Sequence, residues 1–516
     1  MSKDSTNSRI IFLSIHLFIF SLSVYLLSAS DASTYGNVDA WQLRFEVVKS
    51  IVERFDITVP NNMGMTGADG RAYSLDSIGS ALLAIPFYTL ANYIGVNPEI
   101  TLSLMSPLFG AATVILVFLF CMVLDYSQRT SILVAILYGF GTIAWPLSKQ
   151  PFDNIIETFF MLLAIFFAYL YSKNKKTLHL FLTAFSIGFS FITRPTSLMV
   201  IPPLFIMLAS LYRKEFDLKT SFKLIMRDVL LFSISFLPFI CLFLWNNYYR
   251  FGSIFETGYV LRAERMGMDF FTGTSLLTGL SGFLVSPGKG FFYYSPIAIL
   301  FFFSFKSFFK KYSEIASCFI LIMLFYLIFL SKNINWHGDW AWGPRYLLSI
   351  TPLFIIPIGP FLESRKHSKI PGVNKFIFFI IALSLTVQIA AISVDYRKYF
   401  FTLYFEDKVE FTISKGDGVQ RMIEPSNKVY FDYNRSPLLA QFKFIYDISR
   451  RIKDYEYSEL PDSASLADKI TTNPYMNIYD FWWAHQYFTH GTIANLAIAL
   501  LIMAAYSSSR LWKQVT

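Results

Sequence analysis

Four stretches of this chain set carboxylates, cations and aromatic rings close together, in patterns that could do chemistry. The first, Thr34 to Ile57, reads TYGNVDAWQLRFEVVKSIVERFDI. Trp41, Phe45, Val48 and Ile51 recur there at helical spacing, while Arg44, Glu46, Lys49 and Glu53 fall largely on the other side. That pattern predicts an amphipathic helix lying along a membrane surface. Asp39 stands at its N-cap position. It could serve only as a cap, or as a carboxylate held at the surface to accept a proton from a hydroxyl.

The second stretch, Pro146 to Phe160, reads PLSKQPFDNIIETFF and places Lys149, Asp153 and Glu157 at the mouth of two apolar runs. Asp153 and Glu157 are four apart, so they share one helical face. Asp153 could be a cap with dipole support. Glu157 falls about one turn into an apolar helix, where ionisable groups are costly and usually functional. Arg194, between two further apolar runs, would be either a phosphate ligand or a partner for Asp153. The third stretch, residues 332–345, reads KNINWHGDWAWGPR. Trp336, Trp340 and Trp342 beside His337, Asp339 and Arg345 are denser than a membrane-interface belt needs. Indole faces suit sugar rings, and Arg345 could hold a phosphate. His337 and Asp339 alone are a weak metal signal, and the lone His is read as a hydrogen-bonding group. The fourth, Val285 to Pro296, reads VSPGKGFFYYSP without the spacing of a phosphate-binding P-loop. Lys289 either snorkels from a plain turn or, with exposed backbone N–H groups, receives an anion.

Composition dictates the scaffold that must position these groups. Of 516 residues, 54% are hydrophobic and 15% are charged, against about 25% charged in an ordinary soluble domain. Phe alone supplies 56 residues, and mean hydropathy is +0.47. Disorder and a soluble fold with a polar shell are both excluded. The 3 Cys all lie in apolar runs and read as small hydrophobes, not as disulfides or metal ligands. The net charge of +9 sits in short Lys/Arg clusters between apolar runs, as membrane topology requires; no basic stripe for nucleic acid is present.

Thirteen charge-poor runs approach the roughly 20 residues of a spanning helix. They lie near residues 10–30, 77–97, 101–124, 130–148, 155–172, 177–193, 195–212, 229–249, 290–305, 315–331, 346–362, 376–394 and 491–509. The first is too long for a signal-peptide core and is expected to be an uncleaved first helix. Let the N-terminus be cytoplasmic and every run span except 77–97. Segments 125–129, 173–176, 213–228, 306–314, 363–375 and 510–516 then face the cytoplasm with 18 Lys/Arg, against 4 in the short opposite loops near 149, 194 and 332–345. If 77–97 also spanned, the basic clusters would face outward, against the positive-inside rule. Gly79, Pro86, Asn92 and Gly95 also weaken that run as a span, so it is expected to lie at the outer interface. The expectation is an all-α polytopic membrane protein with about 12 transmembrane helices and in-plane helices on its outer face. The long polar stretches 31–76, 250–289 and 395–490 then all lie outside. Within the last, Phe411 to Ile423 alternates around Gly-Asp-Gly and predicts a hairpin. No internal repeat or low-complexity tract is present. No cytoplasmic loop exceeds about 16 residues, too few for a βαβ nucleotide-binding unit of about 30.

Several stretches together carry a family resemblance. They are NVDAWQLRFEVVKSIVERFDI, GRAYSLDSIGSALLAIPFY (Gly70 to Tyr88), NNYYRFGSIFETGY (Asn246 to Tyr259), LVSPGKGFFYYSP (Leu284 to Pro296) and WHGDWAWGPRYLL (Trp336 to Leu348), with FDYNRSPLLAQF (Phe431 to Phe442) as an extension. In this order the chain resembles the GT-C superfamily of polyprenyl-phosphate-sugar-dependent membrane glycosyltransferases. Within it, the chain is similar to the branch of protein O-mannosyltransferases and lipid A aminoarabinose transferases. The resemblance implies that Asp39 is the catalytic carboxylate of the first outer loop and Asp153 the second acidic residue. It implies substrate-binding roles for residues drawn from Glu157, Arg194, Lys289, Trp336, His337, Asp339, Trp342 and Arg345. Two departures stand out. The first acidic position is Asp39-Ala40 where Asp-Glu is common. The stretch Leu75-Asp76-Ser77-Ile78-Gly79 lacks the usual Lys and paired Pro, so the phosphate falls to Arg345, Arg194 or Lys289.

The expected organisation is a GT-C-like catalytic domain at 1–394, an extracytoplasmic appendage at 395–490, and a C-terminal helix with cytoplasmic tail at 491–516. The expected activity is inverting transfer from a lipid-linked sugar donor to an extracytoplasmic acceptor: a protein Ser/Thr, lipid A or a glycan. No cofactor is expected, a divalent metal is not indicated, and the setting is the cytoplasmic (inner) membrane with the active site outside. The alternatives are a polymerase or ligase of lipid-linked glycans, and a secondary transporter. A transporter would place ionisable groups and broken helices near the midplane, often with repeat symmetry, and neither is visible.

Overall fold

The computed structural model describes residues 3–31, 39–61, 63–265, 274–338, 340–364, 372–409, 411–416, 419–425, 427–452 and 474–515. Each of the thirteen apolar runs is helical. Eight helices among the described residues are long and apolar enough to cross a bilayer: Asn7–Leu27, Pro98–Val123, Asn154–Asn174, Pro195–Glu215, Leu218–Phe251, Ser313–Ser331, Arg345–Ser364 and Val373–Ser393. The protein is thus an all-α, multi-pass membrane protein. Gln128–Gly141, Thr177–Thr193, Leu300–Lys311 and Asn495–Val515 are shorter or carry a polar end, and a count of twelve spans rests on the Lys/Arg asymmetry alone.

Local chemistry fixes where these helices begin and end. Asn97 accepts from the Glu99 backbone N–H ahead of Pro98, a cap followed by the residue that tolerates the first helical position. Ser127 caps Gln128–Gly141 and Asp217 caps Leu218–Phe251 in the same way. That long helix stops at Gly252, whose φ of 76° is left-handed and suits glycine.

Gly79–Ile94 has only 16 residues. At 1.5 Å per residue it spans about 24 Å, short of the roughly 30 Å hydrocarbon core. It buries Ala81, Ala84, Tyr88 and Ala91 and exposes Leu90, Tyr93 and Ile94, as a helix at an interface would. Gly79 is needed at its start: a Cβ there would stand 2.6 Å from the Thr193 backbone N. The loop before Gly79 is thereby pressed against the end of Thr177–Thr193.

The amphipathic helix expected after Asp39 is Asp39–Arg54. Trp41 and Val48 are buried as the pattern requires and Phe45 and Ile51 are half-buried, but Arg44, which had been assigned to the polar face, is buried too. Its inward turn is explained by a carboxylate waiting there, described below.

The hairpin expected around Gly-Asp-Gly is present as Phe411–Gly416 paired antiparallel with Val419–Pro425, with a register shift between Thr412 and Ile413. Packing is continuous across residue 394. Tyr399, Phe400, Val429, Tyr430, Phe444 and Ile448 belong to the same hydrophobic core as the helices. The junction is tied by charge as well: Lys149 Nζ lies 2.9 Å from Asp480 Oδ2 and donates to the Ile392 carbonyl at 2.6 Å, with both side chains 2% exposed.

Candidate active site

Arg194 follows the last turn of Thr177–Thr193 in an extended conformation, which frees its side chain to cross to the start of Asn154–Asn174. Its Nη1 lies 3.2 Å from Asp153 Oδ1, and its Nε lies 3.2 Å from Glu157 Oε2. One guanidinium thus bridges the two carboxylates that the sequence spacing put on one face. Of the two roles open to Arg194, the geometry shows the partner.

The two carboxylates differ in what else they accept. Glu157 receives hydrogen bonds from Thr196 at 2.8 Å, Tyr326 at 3.1 Å and Ser349 at 2.7 Å. With Arg194 this occupies all four lone-pair directions of a carboxylate, so Glu157 is an anchor joining three helical segments. Asp153 is buried but less engaged. Burial pushes its carboxyl up; the Arg194, Arg44 and Arg345 guanidiniums outweigh burial and hold it below the usual range.

Arg345 reaches the same place from the end of the Trp-rich loop. Its guanidinium lies 4.8 Å from the Phe152 ring centre and 5.0 Å from the Tyr346 ring centre. Arg194 lies 5.1 Å from that same Tyr346 ring. Two cations therefore share one aromatic face system beside Asp153, a favourable arrangement for guanidinium groups.

A third carboxylate joins them that the sequence reading had not counted among the site residues. Asp76 accepts from the Tyr259 hydroxyl at 2.6 Å, and Arg44 Nε stands 3.6 Å from its Oδ2. Its position is fixed by Arg250, on the last turn of Leu218–Phe251. Arg250 Nη1 donates to the carbonyls of Ser74 at 2.7 Å and Asp76 at 3.0 Å. Burial and the neighbouring Asp153 raise the Asp76 carboxyl, Arg44 and the Tyr259 hydrogen bond oppose them, and the net direction is up.

The other expected site residues are elsewhere or outside the described side chains. Asp39 opens its helix, but its side chain and all of Asp339 lie outside the described residues. Lys289 is buried and donates to the Ala341 carbonyl at 2.7 Å, 5.5 Å from the Tyr430 ring centre. Trp336 is fully buried against Phe283 and Tyr430, and Trp342 stands edge-on to Tyr294. His337 stacks on Tyr430 at 4.8 Å and is also buried. Their rings are covered by protein, so they offer no open platform to a sugar ring; Trp336 and His337 fasten the Trp-rich loop to Tyr430, and Trp342 fastens it to Tyr294. Among the described residues, no group of three or more His, Cys, Asp and Glu is set to hold a metal ion.

A buried cluster of three carboxylates and three guanidiniums at the helix ends of a multi-pass membrane protein defines the class in physical terms. Residues 83–255, which contain Asp153, Glu157 and Arg194, match the model of the dolichyl-phosphate-mannose-protein mannosyltransferase family. That match bears out the resemblance read from the motifs, and with it a glycosyltransferase. No curated protein matches the chain by sequence. Among solved structures, the chain is similar to ArnT from Cupriavidus metallidurans bound to undecaprenyl phosphate, at 12% identity and a TM-score of 0.48, over 87% of this chain and 73% of that one. It is similar to the apo oligosaccharyltransferase of Archaeoglobus fulgidus at 12% identity and a TM-score of 0.48, over 82% of this chain and 61% of that one. The same organism's AglB, in complex with an inhibitory peptide and a dolichol-phosphate, aligns at 11% identity and a TM-score of 0.46, over 99% of this chain and 69% of that one.

Proposed function

We propose that the chain transfers a sugar from a polyprenyl-phosphate donor to an acceptor hydroxyl on the outer face of the cytoplasmic membrane, with inversion. The observation that carries this reading is the placement of Asp153, Arg194 and Glu157 beside Arg345 at one helix mouth, largely within the stretch that matches the mannosyltransferase model. Arg345 meets the donor phosphate, with Arg194 adding charge from its post on Asp153 and Glu157. The acceptor oxygen attacks the anomeric carbon, and Asp39 takes its proton. The bond from that carbon to the phosphate oxygen breaks, and polyprenyl phosphate leaves. A phosphate leaving group needs cationic stabilisation and not a strong general acid, so the reaction calls for no cofactor. The acceptor is a protein Ser/Thr, lipid A or a glycan.

The test uses the detergent-purified chain and undecaprenyl-phosphate-mannose. Wild-type protein is expected to bind this lipid and to release undecaprenyl phosphate during transfer. Arg345→Ala should weaken binding about tenfold or more, the worth of a hydrogen bond to a charged group. Binding of a polyprenyl diphosphate and not the monophosphate would replace this reading with a lipid-linked glycan polymerase or ligase. Binding of neither would remove the lipid-donor enzyme.

A further inference from the structure

The three carboxylates at the helix mouth are not equivalent in what they leave open. Glu157 has four donors around it, and Asp153 has Arg194. Asp76 uses Oδ1 for Tyr259, while Oδ2 has the Arg44 guanidinium 3.6 Å away as an ion pair but no hydrogen-bond partner among the described residues. Its side chain is only 10% exposed, so solvent does not readily supply that partner. A buried, unsatisfied carboxylate oxygen is costly and asks for an occupant.

Asp76 and Arg250 line a small cavity together with Arg44, Val47, Ile78 and Asn246. The cavity wall is firmly held: Arg250 grips the Ser74 and Asp76 carbonyls and is itself braced by Asn246 and Asn247. The wall is fixed and largely apolar with a few polar groups set in it, the arrangement that orients a small ligand group.

Charge decides what kind of group fits. A phosphate is repelled by a carboxylate in a low-dielectric setting. The cations suited to phosphate, Arg345 and Arg194, gather instead around Tyr346. A hydroxyl donates a hydrogen bond to Oδ2 at little desolvation cost. A glycosyl phosphate carries its hydroxyl-bearing ring next to the phosphate, and Asp76 stands three residues before Gly79, which packs against Thr193, the residue preceding Arg194. Resting on the donor reading above, we propose that Asp76 binds a hydroxyl of the donor's sugar ring, with Tyr259 and Arg250 holding the carboxylate in place, and so distinguishes glycosylated from bare lipid phosphate.

The experiment compares binding of undecaprenyl phosphate, undecaprenyl-phosphate-mannose and undecaprenyl-phosphate-glucose to the full chain in detergent. Wild type should bind at least one sugar-bearing lipid about tenfold or more tighter than the bare lipid, the range of a hydrogen bond to a charged acceptor. Asp76→Ala should remove that difference and leave bare-lipid affinity unchanged. Asp76→Asn keeps the shape and the Tyr259 contact and should lose part of it. Thermal midpoints of both variants report whether the loop still folds; if Asp76→Ala does not fold, the Asn variant alone decides. An equal loss of bare and sugar-bearing lipid, or an undiminished sugar preference in Asp76→Asn, overturns the assignment while the donor reading stands. Wild-type binding of bare lipid with no gain from either sugar also overturns it and spares that reading. Failure of wild type to bind any of the three lipids removes the donor reading and this proposal together.

Discussion

Arg250 holds Asp76 by its main chain and not by its charge: the guanidinium donates to the Asp76 carbonyl at 3.0 Å, while the Asp76 carboxylate turns toward Tyr259 and Arg44. Two helices far apart in sequence are thus joined through a loop of five residues, and the placement of the Asp76 carboxylate depends on a residue that does not hydrogen-bond to it. Arg250→Ala should leave the Ser74 and Asp76 carbonyls unpaired and cost roughly 2 kcal/mol or more of stability. Sugar-lipid binding should fall with it, and bare-lipid binding should fall less. A thermal midpoint and a binding curve for each lipid check both parts. Retention of full sugar preference in Arg250→Ala would show that the loop is held by other contacts.

The acid limb of donor binding should belong to Asp76. Its carboxyl is raised above its ordinary value of 3.8, whereas Asp153 is lowered below the same value. The groups facing Asp76 are Arg44, Tyr259, Asp153, Arg194 and, through its backbone, Arg250. For stability the two carboxylates have opposite signs. Asp153 contributes stability above its unfolded value, lost as pH falls through its lower folded value. Asp76 binds its proton more tightly when folded, so stability falls as pH rises from 3.8 through its higher folded value. On acidification Asp76 is therefore protonated first. Sugar-lipid preference should fade at a pH where Asp153 is still charged. In Asp76→Asn that limb should flatten, and in Asp153→Asn it should persist; a limb that persists in Asp76→Asn assigns it to another group.

The sequence carried Asp153, Glu157, Arg194 and Arg345 of this cluster and hid Asp76 and the inward turn of Arg44 for physical reasons. Asp153 and Glu157 were legible because two carboxylates four apart at the head of an apolar run have few structural excuses. Arg194 was legible because it opposed the charge bias of its own loops. Arg44 was misplaced because amphipathic patterning counts every charge as outward, and only Asp76, reached through the tertiary fold, turns it inward. Asp76 was passed over because a polar loop gives no sign of burial; its burial comes from residues beyond position 240, Arg250 and Tyr259. The Trp-rich loop misled in the opposite direction. Composition supplied the rings, but Phe283, Tyr294, Tyr430 and Phe400, which cover them, come from other segments. The helices themselves followed from hydropathy, because a span needs little beyond length and apolarity.

Topology is open to a direct measurement. The Lys/Arg asymmetry puts residues 395–490 outside and 363–375 in the cytoplasm. With Cys121, Cys241 and Cys318 replaced by Ala, single cysteines at Ser414 and Ser368 should divide cleanly. An impermeant maleimide applied to intact cells should label Ser414→Cys and spare Ser368→Cys until the membrane is opened. The reverse pattern would turn the whole molecule over and put the carboxylate cluster on the cytoplasmic side.

The proposed base, Asp39, is the remaining question, and the helix that it begins supplies the argument. Asp39 begins Asp39–Arg54, and Arg44 of that helix reaches Asp76. Five residues at 1.5 Å each put Asp39 about 7.5 Å along the axis from Arg44. The helix N-terminus is thereby tied, through Arg44, to the loop that carries Asp76. Asp39→Asn separates its two candidate roles. Asn caps a helix about as well as Asp, so a capping role predicts unchanged folding and near-normal turnover. The amide cannot accept the hydroxyl proton, so a role as base predicts normal folding, normal binding of undecaprenyl-phosphate-mannose, and turnover lower by roughly 100-fold or more, the usual worth of a positioned acid–base group. Donor affinity, transfer rate and thermal midpoint measured on one preparation distinguish the cases. If Asp39→Asn turns over normally, the proton goes to another carboxylate, and the transfer rates of Asp153→Asn and Asp76→Asn decide which.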